Sequence, residues 1–328
     1  MENYIDDSLG ICPGNHATWL FNAFIELVLS LTLKLSSTPG HISAPATVAV
    51  VLGVVVDTVH NTISLPADKL VEIREVLAVW SNKKSATPRE LASLSGKLLW
   101  CARVVGPGRL FLSRVLQLKR AADGRPGAAA RRSILLEPEI RRDLQWWSGM
   151  LACWNGISFI EPKLTCDVSV DASSNGWENG TPGLGCFFHS TGQYIATGVP
   201  ESMCSWKICD LELFCYILII KAWGHMWRGC SINVLTDNEP TRMLLDRGRS
   251  RDKLRLALAR EIVGHQYVGD FRLHSTRIAT GDNICADSLS RLAEAGQWER
   301  FQGFMASHGV SPTRCEVQPG WFTLGQPD

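Results

Sequence analysis

The amino-acid sequence predicts an α/β protein. Its C-terminal half reads as a mixed sheet with flanking helices, and a basic helical segment and a short strand-bearing region come before it. Three observations carry this reading. From Lys163 onward, period-two apolar runs alternate with longer helical runs in the order three strands, helix, strand, helix, helix, strand, helix. Four acidic residues sit at corresponding places in those runs: Asp171 and Asp237 end strands, while Glu212 and Asp287 lie on helices. Between Pro66 and Met150, finally, the chain reads as successive helices in which Lys and Arg outnumber Asp and Glu.

Each element has a local reason. Residues 15–35 place Leu20, Phe24, Leu27, Leu31 and Leu35 at helical spacing, and Thr38-Pro39-Gly40 breaks the run. Residues 48–56 and 62–65 read as a strand pair around the turn at 57–61. Helices follow at 67–80, 88–104 and 108–120. The second has Thr87 as N-cap, Pro88 at its first position and Glu90 placed for a capping box. Residues 121–133 read as a linker, and 138–153 as a helix whose Trp146 and Trp147 are packing residues. In the C-terminal half the strands are expected at 164–171, 183–189, 194–198, 231–237 and 270–275. Helices are expected at 207–227, from Pro240, at 251–267 and at 284–295, with a Pro/Gly-rich tail after Val310 that is expected to be poorly ordered.

Composition narrows the function classes. The net charge of +1 does not by itself announce a nucleic-acid binder, but the basic 66–150 segment suits a surface that tracks phosphates. A solvated helical face explains that segment equally well. Eleven cysteines show no Cys-x-x-Cys pair and no zinc spacing, which points to a reducing, intracellular compartment, cytoplasmic or nuclear. The apolar run 20–35 is interrupted by Asn22, Glu26 and Lys34. The run 44–56 is short and carries Pro45 and Gly53, so neither reads as a membrane span.

A buried carboxylate is costly without compensation, and four converging ones would push each other's pKa upward unless a cation neutralised them. Oxygen donors of this kind select Mg²⁺ or Mn²⁺. Two such ions support the attacking and leaving oxygens of phosphodiester hydrolysis. Each residue also has an ordinary structural role open to it. Asp171 suits a strand-end turn, and Asp237 suits the N-cap of the helix beginning at Pro240. Glu212 has Lys207 and Lys221 in reach, and Asp287 has Arg291 at i,i+4.

Residues 163–295 resemble a retroelement ribonuclease H domain. The likeness lies in Val170-Asp171-Ala172-Ser173, in Leu211-Glu212-Leu213 leading an apolar helix, in Thr236-Asp237-Asn238, and in Asn283 followed by Asp287-Ser288-Leu289-Ser290-Arg291. The resemblance implies a ribonuclease H-like mixed five-stranded sheet with flanking helices. It implies Asp171, Glu212, Asp237 and Asp287 as catalytic ligands of two Mg²⁺ or Mn²⁺ ions, and the RNA strand of an RNA–DNA hybrid as substrate. Ser173 and Asn175 are candidates for touching the substrate backbone. Asp167 shares the strand face of Asp171 but lacks its motif. Many members carry a His about ten residues before the last Asp; here Arg277 stands there, able to hold a phosphate but not to act as a general acid. An integrase-like nuclease fits less well, since that class ends in a Glu where this chain has Asp287.

The front of the chain resembles a reverse transcriptase. Tyr4-Ile5-Asp6-Asp7 is similar to the Tyr-x-Asp-Asp hairpin, in which Asp6 and Asp7 would be polymerase carboxylates. Residues 52–57 and 63–66 with Lys69 look like the passage from palm to thumb. Leu91–Trp100 with Pro107-Gly108-Arg109 resembles the thumb and connection of DIRS-like, tyrosine-recombinase retrotransposons, where Lys97 and Arg109 are candidate phosphate contacts. The expected organisation is a truncated palm remnant at 1–66, a basic helical thumb and connection at 67–160, a ribonuclease H-like domain at 161–300 and a tail at 301–328. Only three residues precede Tyr4, so the family's earlier palm Asp and fingers are not in this chain, and it is expected not to polymerise alone. The alternative is a non-catalytic or domesticated remnant that binds nucleic acid.

Overall fold

A computed structural model of the chain describes residues 2–4, 7–38, 41–123, 133–160, 163–248, 250 and 252–324. It divides into two compact units, Met1–Val76 with Met150–Glu161, and Leu77–Gly149 with Pro162–Asp328. Among the described residues no helix is long and apolar enough to cross a membrane.

The first unit begins with a hairpin of β1 (Glu2–Tyr4) and β2 (Asp7–Leu9), Tyr4 opposite Asp7. Helix α1 (Ala17–Ser30) stops earlier than its apolar spacing predicts, because Thr32 turns into the left-handed region at φ 59°. The expected long strand at 48–56 is instead two strands, β3 (Val48–Val51) and β4 (Val54–Asp57), paired antiparallel. Leu52 and Gly53, at φ 48° and 81°, form the two-residue turn between them, a hairpin geometry that glycine makes accessible. The Asp57 carboxylate accepts from the Val59 and His60 N–H groups at 2.9 Å each and shapes the next turn into β5 (Thr62–Ser64).

Helix α2 (Ala67–Ser81) follows, and then a two-stranded pair of β6 (Ser85–Ala86) with β7 (Ile134–Leu135) brackets α3 (Pro88–Cys101) and α4 (Gly108–Asp123). The capping box at α3 forms as expected: Thr87 Oγ1 accepts from Glu90 N, and the Glu90 side chain accepts from Thr87 N. Helix α5 (Pro138–Cys153) has the expected bounds. After it, β8 (Ile157–Ser158) adds to β5 in the first unit, where the Asn155 side chain both accepts from Leu65 N and donates to Leu65 O.

The second unit is built on a six-stranded sheet. Its elements are β9 (Cys166–Ser173), β10 (Gly183–Phe188), β11 (Gln193–Gly198), α6 (Ile208–Trp223), β12 (Ser231–Thr236), α7 (Glu239–Arg247), α8 (Lys253–Gly269), β13 (Arg272–Arg277), α9 (Ile284–Ser290), α10 (Gln297–Ser307) and β14 (Thr313–Arg314). The strand order is β13-β12-β9-β10-β11-β14. β9, β10 and β11 form an antiparallel meander, and β12 and β13 run parallel to β9. This mixed sheet in this element order is the architecture the sequence predicts. Helix α6 is buried along nearly its whole length, which is why it reads as continuously apolar.

The C-terminal region departs from expectation. The final helix predicted at 284–295 ends at Ser290, and the supposed tail supplies α10 and a sixth strand instead of five in all. Phe301 and Met305 of α10 are buried with Phe187, Tyr194, Cys285 and Leu289, so the segment is held by apolar burial. The expected boundary at 160/161 also moves, since residues 77–149 pack in one unit with the sheet. Asp143 of α5 accepts from Arg114 of α4 and from Arg260 of α8, each at 2.8 Å. The Arg260 guanidinium lies 4.8 Å over the Phe111 ring, which in turn stacks on Trp146 at 3.7 Å. Both tryptophans thus pack, as the sequence implies.

Candidate metal centre

The centre is assembled where β9 and β12 end side by side. Asp171 lies near the end of β9, Glu212 in the second turn of α6, and Asp237 just past β12. Ligand oxygens of these three lie within 4.8 Å of one another. Asp171 and Glu212 are only 6% and 4% exposed, and Asp237 is half-buried. Burial, the Asp237 and Asp287 charges against it, raises the Asp171 carboxyl to about 7, while the Ser290 hydroxyl and Arg291 oppose the shift. Burial pushes Glu212 well above the usual carboxylate range, with Asp171 and Asp237 adding to the effect. One Glu212 oxygen, Oε2, has no hydrogen-bond partner.

The ordinary roles open to three of these residues are taken by other groups or left unfilled. Asn238, not Asp237, caps α7, its side chain accepting from Thr241 N at 3.0 Å. Asp237 Oδ2 is left to accept from Thr280 Oγ1 at 2.7 Å. Glu212 forms no ion pair with Lys207 or Lys221; Lys221 pairs with Glu261 at 3.4 Å and donates to the Trp321 and Thr323 carbonyls. Asp171 is not a turn former but the acceptor of a 2.5 Å hydrogen bond from Ser290 Oγ.

Asp287 behaves differently. It lies on α9 near enough for its charge to be felt at Asp171, yet it is outside the three-carboxylate cluster. Arg291 Nε donates to its Oδ1 at 2.9 Å, the pairing that i,i+4 spacing allows, and Arg300 Nη1 donates to its Oδ2 at 2.5 Å.

A short ladder of glycines brings α9 this close to the sheet. A Cβ on Gly185, which lies opposite Asp171 in the pairing, would stand 2.2 Å from Ala286 O and 2.5 Å from Ser290 N. At Gly183 a Cβ would meet Ser290 O at 2.0 Å. Asn283, almost fully buried, donates to Val170 O at 2.9 Å and pins the start of α9 to β9. Asn283, Asp287 and Ser290 follow i, i+4, i+7 spacing, the pattern from which a shared helix face can be read. Arg300 carries no such signal, because its partner lies across a chain reversal.

The remaining candidates fall elsewhere. Ser173 is buried and structural, donating to Ser290 O at 2.6 Å and accepting from Gly176 N at 3.0 Å, so it is not free to touch a substrate. Asn175 is exposed on the following turn. Asp167 is exposed and accepts from Asn233 Nδ2 at 2.9 Å. Arg277 is exposed at the end of β13, opposite Thr236 and so one residue from Asp237 in the pairing. Lys97 is half-buried on α3, and Arg109 is exposed in the first turn of α4 beside Gly248. Asp6 lies outside the described residues; Asp7 opens β2.

No protein-family model matches the chain, and no curated protein matches it. Among solved structures it is similar to RNase H1 from the halophilic archaeon Halobacterium salinarum NRC-1, at 16% identity and a TM-score of 0.30, covering 40% of this chain and 98% of that one. It is also similar to the foamy viral protease-reverse transcriptase in complex with RNA/DNA hybrid, at 13% identity and a TM-score of 0.35, over 83% of this chain. The same foamy viral protein in complex with dsDNA matches at 14% identity and a TM-score of 0.28, over 73% of this chain and 46% of that one. The chain spans about a third of the length of the hybrid-bound foamy viral chain, 34%.

Proposed function

We propose that the second unit is a ribonuclease H-type nuclease that hydrolyses the RNA strand of an RNA–DNA hybrid with two Mg²⁺ or Mn²⁺ ions. The observation that carries this reading is the convergence of Asp171, Glu212 and Asp237 from three separate elements to within 4.8 Å, two of them almost fully buried. Three carboxylates held this way are unfavourable when ionised and unaccompanied. The partnerless Glu212 Oε2 is an oxygen donor of the kind a hard cation takes. The donor set, all oxygen with neither sulfur nor imidazole, fits Mg²⁺ or Mn²⁺ rather than zinc.

Asp171, Glu212 and Asp237 would hold the ions, with Asp287 completing the second position. Bound ions would supply an activated water and support for the departing oxygen. The chain's own groups orient the carboxylates. Ser290 and Asn283 hold β9 and α9 together, and Thr280 fixes one Asp237 oxygen. Arg277, exposed at the end of β13, would take a substrate phosphate, although a guanidinium cannot give a proton to a leaving group. The hybrid as substrate follows from the motif resemblance, and 2′-hydroxyl contacts are what distinguish RNA from DNA at such a site. The front unit, with its Asp7 hairpin and small sheet, we read as part of a reverse-transcriptase palm from a DIRS-like retroelement.

The test is cleavage of a labelled RNA–DNA hybrid in Mg²⁺ and in Mn²⁺, with Asp237→Asn as control. Metal-dependent cutting of the RNA strand that falls by about 100-fold or more in the variant is expected. A folded sample that binds the hybrid and cuts nothing in either metal supports the second reading, a binding remnant. The pairing of Asp287 with two arginines is the observation that favours that alternative.

A further inference from the structure

Asp287 is fully engaged by side chains of this chain. Both its carboxylate oxygens are claimed, one by Arg291 at 2.9 Å and the other by Arg300 at 2.5 Å. The two arginines reach it from different directions. Arg291 directly follows α9, whereas Arg300 stands on α10, beyond the turn at 291–296. Its placement there is enforced by the core. The adjoining Phe301 is completely buried, in edge contact with Phe187 and tilted against Tyr194. Gln297 Oε1 accepts from the same Arg300 nitrogen at 3.4 Å. The carboxylate itself is nearly buried, but the arginine side chains are 38% and 39% exposed.

The charges fall into a simple arrangement. Asp171, Glu212, Asp237 and Asp287 share one neighbourhood with two guanidiniums, and both of those lie on Asp287, Arg291 being shared with Glu294 at 3.5 Å. The three carboxylates that gather within 4.8 Å are the ones with no guanidinium on them.

We propose that Arg291 and Arg300 form a latch on Asp287: the free protein holds one divalent ion on Asp171, Glu212 and Asp237, and a second is admitted when phosphates of a bound nucleic-acid strand draw the guanidiniums off Asp287. This inference rests on the metal reading above. Each guanidinium meets Asp287 through a single nitrogen, whereas a phosphate offers it bidentate pairing, so the exchange replaces one charged pair by another. Because the arginine heads are partly in solvent, it needs side-chain rotation and no movement of α9 or α10. Arg300 is thus a positioning residue that acts through Asp287, and it couples substrate binding to completion of the centre.

The experiment counts Mn²⁺ bound per 328-residue chain by calorimetric titration without nucleic acid. One ion is expected for the unmodified chain, one for Asp287→Asn, and two for Arg300→Gln. With a hybrid whose RNA strand carries 2′-fluoro sugars in place of the hydroxyls, and so resists cutting, the unmodified chain is expected to bind two. Two ions in the free chain, falling to one in Asp287→Asn, would overturn the latch and leave the metal reading standing. A count of one in Arg300→Gln, or a count that stays at one with the hybrid bound, also overturns the latch. Absence of any bound Mn²⁺ in a folded sample overturns the metal reading and the latch with it.

Discussion

Ser290, in the last turn of α9, donates its hydroxyl to Asp171 Oδ2 at 2.5 Å and joins two segments 119 residues apart. The same hydroxyl also reaches back to Asp287 O at 3.0 Å. The bond works against the burial that raises Asp171, stabilising the ionised form a cation needs.

Ser290→Ala should therefore raise the Asp171 carboxyl further and weaken Mn²⁺ binding. Loss of an outer partner of a metal ligand costs roughly 10–100-fold in affinity, and that drop is expected in a Mn²⁺ titration with the fold retained. An unchanged affinity would mean that the hydroxyl does not tune the ligand.

The pH dependence of stability follows from the carboxylates. Asp171, raised to about 7, and Glu212, raised well above its usual range, bind protons more tightly when folded than when unfolded. Their stabilising contribution is complete below the unfolded carboxylate pKa, near 4, and is lost as pH rises through about 7. In EDTA the melting temperature should be higher at pH 5 than at pH 8. Mg²⁺, which binds the ionised forms, should raise it at pH 8 more than at pH 5. Glu90, held down at about 2 by the Lys83 contact and the Thr87 cap, titrates below this window and does not interfere.

Gly185→Ala should be destabilising out of proportion to its size. The added methyl would meet backbone atoms of α9, which have no rotamer to yield, so α9 must lift from β10. Overpacking of this kind costs about 1–3 kcal/mol and occasionally more. Urea unfolding should show that loss, together with weaker Mn²⁺ binding because Ser290 moves with α9.

Asp143→Ala should be among the most damaging changes in the second unit. It strands Arg260, whose side chain is 5% exposed, without its carboxylate. Breaking a buried pair on one side costs about 3–5 kcal/mol. Replacing both partners, Asp143→Leu with Arg260→Met, should recover much of the loss in the same unfolding experiment. Failure of the double variant to recover would show that the pair is needed for shape as well as charge.

Elements dictated by neighbours in the chain were legible in the sequence alone. The Thr87–Glu90 capping box, the bounds of α5, the buried α6 and the strand and helix order around the sheet all follow from periodicity, caps and Pro placement. The motifs that carry the four carboxylates can likewise be read in the sequence, because each lies on or directly after an element that a local pattern marks. What each carboxylate does was decided by tertiary structure. Asn238 rather than Asp237 took the cap, and that choice depends on how the chain leaves β12. Asp287 received two guanidiniums, one of them from α10, a helix the sequence reading does not predict and that Phe301 and Met305 hold against the apolar cluster. Residues 77–149 joined the sheet through Asp143 and Arg260, 117 positions apart. Local patterning encodes secondary structure because its contacts lie within one or two turns; the partner of a buried charge is chosen by packing between distant segments, and no short window of sequence contains it.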